Sequence, residues 1–329
     1  MQKNLSRRCE IVEQLKKINN PYLPAIIGII ALLILGQTVT SGFLSINNIS
    51  SILMTTAILT MASIGQAAVV ISGDSGLDMS VGAVMSMTAL FGPMILVGSG
   101  SVSVLIMIPA VLFMGGCVGL LNGIGVQVIK IVPLVMTLIM SNVVNGFSIM
   151  ITNGQPSVSV SKELQAISNV FVGPIRYLTA IVIVLLFILE IGFLRKSRYG
   201  RSLFLVGDNY NAAKLCGINS QKIVIGAYVF SGAMAGLAGL MLVGYAGTAQ
   251  MNMASSYTML SVAAVVIGGT KLTGGKGTFV GGALGALVLI LITNILQALN
   301  MAAGLRSLIQ GIILIAILMT NSRAPRLRQ

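Results

Sequence analysis

The sequence predicts an all-α, polytopic membrane protein with about ten transmembrane helices and both termini in the cytoplasm. Of its 329 residues, 56% are hydrophobic and only 8% are charged, whereas a soluble domain carries roughly 25% charged residues. The chain has no charged residue from Ile18 to Gly73 or from Ile223 to Thr270, and each run is at least twice the about 20 residues that span a bilayer. Strand-type alternation is absent and the apolar segments are too long for barrel strands, which leaves helices.

The breaks between apolar segments fall at clusters of Gly, Ser, Asn and Pro, such as those around Gly42, Gly73 and Pro156, which are typical of turns. The eighth segment is short, so we expect a broken or re-entrant helix there, packed inside the protein or lining a cavity. In chain order, the predicted spans are about 22–40, 51–72, 78–97, 103–127, 131–152, 174–194, 223–246, 257–270, 278–297 and 304–321.

Glycines recur at spacings of four residues in three of these segments. In lipid there is little hydrophobic attraction between helices, so close approach over small residues supplies much of their packing. We therefore predict that these glycines form packing faces, within the chain or with another subunit, rather than a translocation seam. The sets are Gly115/Gly119/Gly123, Gly232/Gly236 and Gly281/Gly285.

The distribution of basic residues predicts the orientation. With ten spans, 17 of the 20 Lys and Arg residues lie on one side, and the other side holds Lys162, Arg176 and Arg306. Because positive charge resists translocation, the basic side is cytoplasmic. The formal net charge of +13 is then a topology signal that can also attract anionic lipid headgroups, and no nucleic-acid partner is expected. Residues 1–21 and 322–329 become a cytoplasmic segment and tail around a transmembrane domain at 22–321.

Several reaction types are excluded by residue type. The chain has no His, so imidazole bases and ligands are lacking. Cys9, Cys117 and Cys216 are too far apart in sequence for a metal cluster, and with Cys9 and Cys216 in a reducing cytoplasm no disulfide is expected. No nucleophile–base pair stands out. We therefore expect no cofactor and no catalytic activity in this chain.

The longest predicted cytoplasmic loop, residues 195–222, contains a short helical pattern. Asp208 or Asn209 can accept the free N–H groups at its start, Ala212 and Ala213 favour helix, and Gly217 suits the left-handed residue that ends a helix. A capped amphipathic helix of about two turns would suit contact with a soluble partner. The alternative is a solvated loop.

Two glycine-rich loops, Ile71 to Val81 and Ile267 to Gly282, join helices on the same side. Asp78 is expected to cap the third span. The second loop is a near match to a phosphate-binding loop, but Thr270 and Gly277 occupy positions that need Gly and Ser or Thr, which argues against nucleotide binding. The residues expected to shape these loops are Gly76, Asp78, Gly268, Gly269, Gly274 and Gly275.

Three motifs resemble those of membrane permease subunits of bacterial ABC importers, in the branch that carries ribose and other monosaccharides. Residues 75–82 are similar to the family's G-I-D-L-S-V-G. The second motif runs from Arg198 through Gly207 to Ile218, and the third comprises residues 263–270 with 274–277. Order and spacing agree from about residue 40 to residue 321, so the resemblance covers nearly the whole chain.

The resemblance implies a permease that moves solute by alternating access, without hydrolysing ATP itself. It implies separate ATPase subunits, a second permease subunit (the same or a related chain) and an extracytoplasmic solute-binding protein. It also implies that the segment from Asp208 to Gly217 is a coupling helix that docks on the ATPase. Its expected contact residues are Asp208, Asn209, Asn211, Ala212, Ala213, Lys214 and Gly217.

The chain departs from this family at charged positions. The family commonly has acidic residues in a pattern like Y-E-L-D-A-I, whereas Tyr257 to Val262 carry none, and Asn145 precedes Gly146 where an Arg is common. The loss of these charges is compatible with a lost ion pair or with an altered solute.

Polar residues at helical spacing are the pathway candidates. On the fifth span, Thr137, Ser141, Asn145 and Ser148 share one face, and Asn142 lies beside it. The alternative is interhelical hydrogen bonding, which polar residues commonly form in membranes. The complete candidate set is Gln66, Thr137, Ser141, Asn142, Asn145, Ser148, Thr293, Asn294 and Gln297.

A secondary transporter or passive facilitator is the competing function. Proton- or sodium-coupled carriers keep an ionisable or ion-liganding group near the midplane, whereas all seven acidic residues fall in predicted loops or near span ends. This argues against proton coupling but leaves a passive facilitator open.

Overall fold

The computed structural model describes residues 22–73, 76–94, 100–154 and 157–321, and it is all-helical apart from short paired strands. The predicted segment 1–21 and tail 322–329 lie outside these residues. Every one of the ten predicted spans contains a helix. These helices are α1 (Leu23–Val39), α2 (Ile46–Ile71), α3 (Val81–Met94), α4 (Gly100–Gln127), α5 (Pro133–Thr152), α7 (Tyr177–Ile188), α10 (Ser220–Ala246), α11 (Ser255–Ile267), α12 (Phe279–Ala298) and α13 (Ala303–Asn321).

Six of these segments are long and apolar enough to cross a membrane, judged by length and composition alone. Helix α7 is long enough to cross a membrane only together with the π-helix Leu189–Lys196 that continues it. Helices α1, α3 and α11 are apolar but shorter. The short α11 matches the expected short eighth segment, and the total of about ten crossings stays a prediction.

The small elements between the long helices include one that was predicted and several that were not. Helix α9 (Tyr210–Leu215) corresponds to the short helix expected in the loop 195–222. Helix α6 (Lys162–Asn169), between α5 and α7, and helix α8 (Arg198–Asp208), between α7 and α9, were not predicted. Strands β1 (Ser157–Ser159) and β4 (Thr248–Gln250) pair antiparallel, as do β2 (Phe171–Val172) and β3 (Ile175–Arg176). With two or three residues each, these strands close loops and do not form a layer.

Helix α2 is the centre of the fold. In its most apolar 18-residue window 94% of the residues are buried, and it packs against α10, α11 and α12. Its sequence is rich in the small residues Ala, Ser and Thr as well as in Ile, so neighbouring helices approach it closely. A helix that is apolar around its whole circumference is expected at such a buried position.

The glycine faces pack within the chain, as predicted. A Cβ on Gly115 would lie 2.0 Å from the carbonyl oxygen of Gly232, and one on Gly119 would lie 2.1 Å from that of Tyr228. At the α11–α12 contact, a Cβ on Gly285 would lie 2.0 Å from the carbonyl oxygen of Ala264. Such backbone contact is possible only where both partners lack bulk, which makes these crossings sequence-specific.

Candidate coupling surface and polar cavity

The predicted cytoplasmic loop forms two helices joined at Asn209. Asn209 Oδ1 accepts the N–H of Ala212 at 2.9 Å, so it is the N-cap of α9, whereas Asp208 is the last residue of α8. Gly217 has φ +81° and follows α9 in the left-handed conformation that the sequence predicted. A capped helix is therefore present, but it is shorter than expected and is preceded by α8.

The exposure of α9 separates residues that face outward from one that faces inward. Ala213, a predicted contact residue, is 5% exposed and packs into the main core, so it lies on the inward side of α9 and not on the side open to a partner. Leu215 is 90% exposed and was missed, although an apolar residue two places from the inward Ala213 points to the opposite face. The other predicted contact residues are exposed: Asp208, Asn209, Asn211, Ala212, Lys214 and Gly217.

The three predicted cytoplasmic loops meet at one point, which we name the glycine junction (Gly73, Gly207, Gly274 and Gly275). The N–H of Gly275 donates to the carbonyl of Ile71 at 3.0 Å. A Cβ on Gly207 would lie 1.8 Å from that same carbonyl oxygen, and one on Gly274 would lie 2.3 Å from Gly73 Cα. The end of α8 is thus in backbone contact with the end of α2 and with the α11–α12 loop.

The remaining predicted loop glycines have separate roles. Gly76 closes a turn by donating its N–H to the carbonyl of Gly73 at 2.9 Å. A Cβ on Gly268 would lie 2.2 Å from the backbone of Gly281, so Gly268 allows α11 and α12 to meet. Gly269 has φ +85° with open space around it, so its requirement is conformational.

Asp78 lies three residues before the first residue of α3, and the backbone N–H that it accepts is that of Ser80, which precedes the helix. Its bonds also reach α10 and α2, and Ser80 connects it to α4. Its carboxylate accepts the Ser80 N–H at 3.0 Å, the Ser80 hydroxyl at 2.6 Å and, from α10, the Ser231 hydroxyl at 2.8 Å. Asn122 of α4 donates to Ser80 Oγ at 2.9 Å. With its amide oriented to satisfy both groups, Gln66 of α2 donates to the Asp78 carbonyl at 3.0 Å and accepts its N–H at 3.2 Å.

Two pathway candidates are buried and form hydrogen bonds within the chain. Gln66 is fully buried on the Asp78 backbone. Thr137 is also fully buried, and its hydroxyl donates to the Pro133 carbonyl at 2.9 Å. Neither is among the residues that line the two polar cavities described below. Both match the alternative of structural hydrogen bonding.

A polar cavity of about 760 Å³ lies at the other end of α12, at the predicted extracytoplasmic side, and includes Asn294 and Gln297. Tyr245 and Tyr257 contribute phenol rings. No acidic or basic residue is among those that line it in the part of the chain that the structure describes. Its aliphatic hydroxyl and amide side chains come from Thr40, Ser41, Asn48, Ser51, Thr55, Ser256, Thr293, Asn294 and Gln297.

A second cavity of about 230 Å³ lies between α3, α5 and α11 and contains Ser141 and Asn145. Ser148 is buried and donates to its own helix at 2.8 Å, and Asn142 is exposed outside the cavity. The first turns of α11 separate the two cavities, because Thr258 faces the smaller one and Tyr257 the larger. Sequence periodicity missed this contribution of α11.

An arginine packs against the wall of the large cavity at the predicted extracytoplasmic end. The Arg176 guanidinium lies 4.9 Å from the ring centroid of Tyr245 and 5.3 Å from that of Phe171, which are cation–π distances. It also donates to Asn169 Oδ1 at the end of α6. The short helix and strands between α5 and α7 are therefore connected to a cavity-lining side chain.

Comparison with known proteins gives a consistent set of relatives. Residues 48–318 match the family described as the permease component of branched-chain amino acid transport systems. The ribose import permease protein RbsC of Escherichia coli K12 is 31% identical over 303 residues, covering 91% of this chain and 93% of the relative. The corresponding protein of Haemophilus influenzae is 28% identical, with coverages of 90% and 91%. The autoinducer 2 import system permease protein LsrC of Photorhabdus laumondii is 30% identical, with coverages of 93% and 90%. No solved structure gives a significant match.

Proposed function

Because this chain belongs to the family of permease components of branched-chain amino acid transport systems, we propose that it forms the translocation pathway of an ATP-driven ABC importer for a small, uncharged polar solute. The observation that carries the proposal is the match over residues 48–318. The geometry supports it, because an exposed helix with an apolar side chain lies at one end of the bundle and a polar cavity at the other.

The cavity favours a monosaccharide or a related compound as the solute. Its hydroxyl and amide groups can exchange hydrogen bonds with a polyhydroxylated molecule, and its tyrosines offer apolar ring faces. An amino acid would bring a carboxylate and an ammonium group into a wall without charges, and an unpaired buried charge is costly. The relatives named for ribose and autoinducer 2 agree with this class.

The chain is a multi-pass protein of the plasma membrane, and we propose ten crossings with both termini in the cytoplasm. The ten helices match the ten predicted segments, and the distribution of 17 basic residues against three supports this orientation. In this arrangement α8, α9 and the glycine junction lie on the cytoplasmic face. The large cavity then opens toward the extracytoplasmic face.

The assembly we propose has two ATPase subunits, two permease subunits and a solute-binding protein. α9 would dock on the ATPase, and the face that carries α6 would receive the binding protein. Helix α5 exposes Val135, Ile139, Val143 and Phe147, which can contact either lipid tails or the second permease. The basic cytoplasmic side would also contact anionic lipids.

Reconstitution separates the importer from a facilitator. The permease with its ATPase and binding protein in proteoliposomes is expected to accumulate radiolabelled ribose or autoinducer 2 only when ATP is present on the ATPase side. The chain alone is expected to give no uptake above empty vesicles. Rapid equilibration by the chain alone, without nucleotide, would establish a facilitator instead.

Replacing Asn294 by Asp is expected to lower ATP-driven solute flux about tenfold or more. The change keeps the size of the side chain but places an unpaired carboxylate in an uncharged cavity wall, where it must either bind water tightly or take up a proton. The matched control is Asn47→Asp, at an exposed position in the first turn of α2 that does not line the cavity. Equal flux in the two variants, with equal assembly, would remove Asn294 from the pathway.

A further inference from the structure

Glu190 is a buried carboxylate at the point where α7 passes into the coupling segment, by which we mean residues 189–217 with the π-helix, α8 and α9. It is 3% exposed and lies in the π-helix, a geometry that is rare and frequent at functional sites. One carboxylate oxygen accepts Arg195 Nε at 2.7 Å. The other accepts the N–H groups of Phe279 at 2.7 Å and Val280 at 3.4 Å, which are the first two residues of α12.

These bonds attach the start of α12 to the start of the coupling segment. The first N–H groups of a helix have no partner within the helix and carry partial positive charge, so a carboxylate there is stabilising. Removing one partner of a buried, hydrogen-bonded charge is strongly unfavourable. The π-helix and the N-terminus of α12 are therefore expected to move together.

A column of four aromatic rings connects the same two elements by a second route. Phe279 of α12 stacks on Phe230 of α10 with centroids 6.0 Å apart, and Phe230 stacks on Phe193 of the π-helix at 4.7 Å. Phe193 lies 5.3 Å from Tyr199 of α8. The column therefore extends from the coupling segment to the first residue of α12.

The other end of α12 lines the large polar cavity. Asn294 lies fifteen residues after Phe279, a distance of about 22 Å along a helix, and Ala298, the last residue of α12, also lines the cavity. A helix of this length is stiff compared with a loop. A displacement of its N-terminus is therefore expected to change the position of the cavity wall.

We propose that Glu190 is a positioning residue that, together with the aromatic column, transmits movement of the coupling segment to α12 and so changes the shape of the solute cavity. This inference rests on the proposed function, because it takes the ATPase as the source of that movement. It concerns a route inside the chain that is separate from the docking surface of α9.

The test measures movement at the far end of α12 directly. Ala298→Cys is introduced into the full complex after Cys9, Cys117 and Cys216 have been replaced by Ser, and its rate of maleimide labelling is compared without nucleotide and with ATP plus vanadate. With Glu190 intact, labelling is expected to change severalfold on trapping. Glu190→Gln is expected to bring that nucleotide-dependent ratio close to one, whereas the control Asn47→Asp, at an exposed position outside the cavity, leaves it unchanged.

A merely structural Glu190 would lower complex yield without altering the labelling ratio of the complexes that form. An unchanged ratio in assembled Glu190→Gln complexes would thus overturn the proposal. If that variant does not assemble, Phe230→Leu is tested instead, because it breaks the aromatic column and keeps the carboxylate. It is expected to reduce the labelling ratio about threefold. An unchanged ratio in this variant would overturn the proposal. Failure of the proposed function gives a different result, in which complexes with Glu190 intact never respond to ATP.

Discussion

Replacing Leu215 by Asp is expected to weaken binding of the ATPase subunit about a hundredfold or more and to abolish ATP-driven uptake, while the permease stays folded in the membrane. Leu215 is 90% exposed on a helix that Asn209 caps and Ala213 anchors. Full burial of a Leu side chain in a partner stabilises by about 1.5–3 kcal/mol, and an Asp buried at the same contact would add a desolvation cost. Co-purification of tagged ATPase and its dissociation constant in detergent measure the effect.

The neighbouring Lys214→Asp variant is the matched control. It introduces the same acidic group at an exposed position of the same helix but keeps the apolar side chain of Leu215, so we expect a clearly smaller loss of affinity. Equal losses in the two variants would show that charge, rather than the buried Leu, determines docking. Ala213→Asp is expected to reduce the yield of folded protein, because Ala213 packs into the core.

Composition and spacing predicted the helices well because each depends on its own residues. Each of the ten predicted apolar segments contains a helix, and the glycines spaced four residues apart form packing faces. The orientation of short elements was harder to predict. Nothing local distinguishes the buried Ala213 from the exposed Ala212, because only contact with the rest of the fold decides which side of α9 faces inward.

The pathway candidates show why periodicity alone is weak evidence in a membrane helix. Thr137 and Ser148 lie on the predicted face of α5, but their hydroxyls donate to carbonyls of their own helix. Ser and Thr make such bonds routinely, so their spacing does not require a polar surface. Asn294 and Gln297 do line a cavity, but six of its nine aliphatic hydroxyl and amide side chains come from residues 40–55 and from Ser256, which sequence spacing does not connect to them.

The two sets of contacts that hold together the predicted cytoplasmic end, those of Glu190 and of the glycine junction, join residues far apart in the chain and left little signal in the sequence. Glu190 accepts the N–H of Phe279, which lies 89 residues away in the sequence. From the sequence alone it could be identified only as an acidic residue near the end of a span. The glycine junction brings together residues from three loops that the sequence had singled out separately. A surplus of glycine in all three loops was the available signal, since only glycine allows such close backbone contact.

Replacing Gly119 by Ala is expected to destabilise the membrane domain by about 3 kcal/mol or more, and so to remove most of the folded protein. A Cβ at this position would lie 2.1 Å from the Tyr228 carbonyl oxygen and 2.9 Å from Val229 Cα. Both atoms belong to the backbone, so α4 and α10 must separate along the whole contact that contains Gly115 and Gly232. Overpacking of a tight core usually costs about 1–3 kcal/mol, and here no flexible side chain can yield.

Gly146→Ala is the matched control, because it makes the same substitution in a membrane helix at a position without a close neighbour. Gly146 also lies inside a membrane helix, α5, but a Cβ there has nothing within 4 Å. Since Ala has about 1 kcal/mol better helix propensity than Gly, this variant should unfold at the same temperature as the unaltered protein or a higher one. The unfolding temperatures of the two variants are compared in detergent. Far-UV circular dichroism measures the loss of helix, and size-exclusion chromatography measures the monodisperse fraction. If both variants unfolded at the same temperature, the α4–α10 contact would not be the close backbone crossing on which the placement of Asp78 and Ser231 depends.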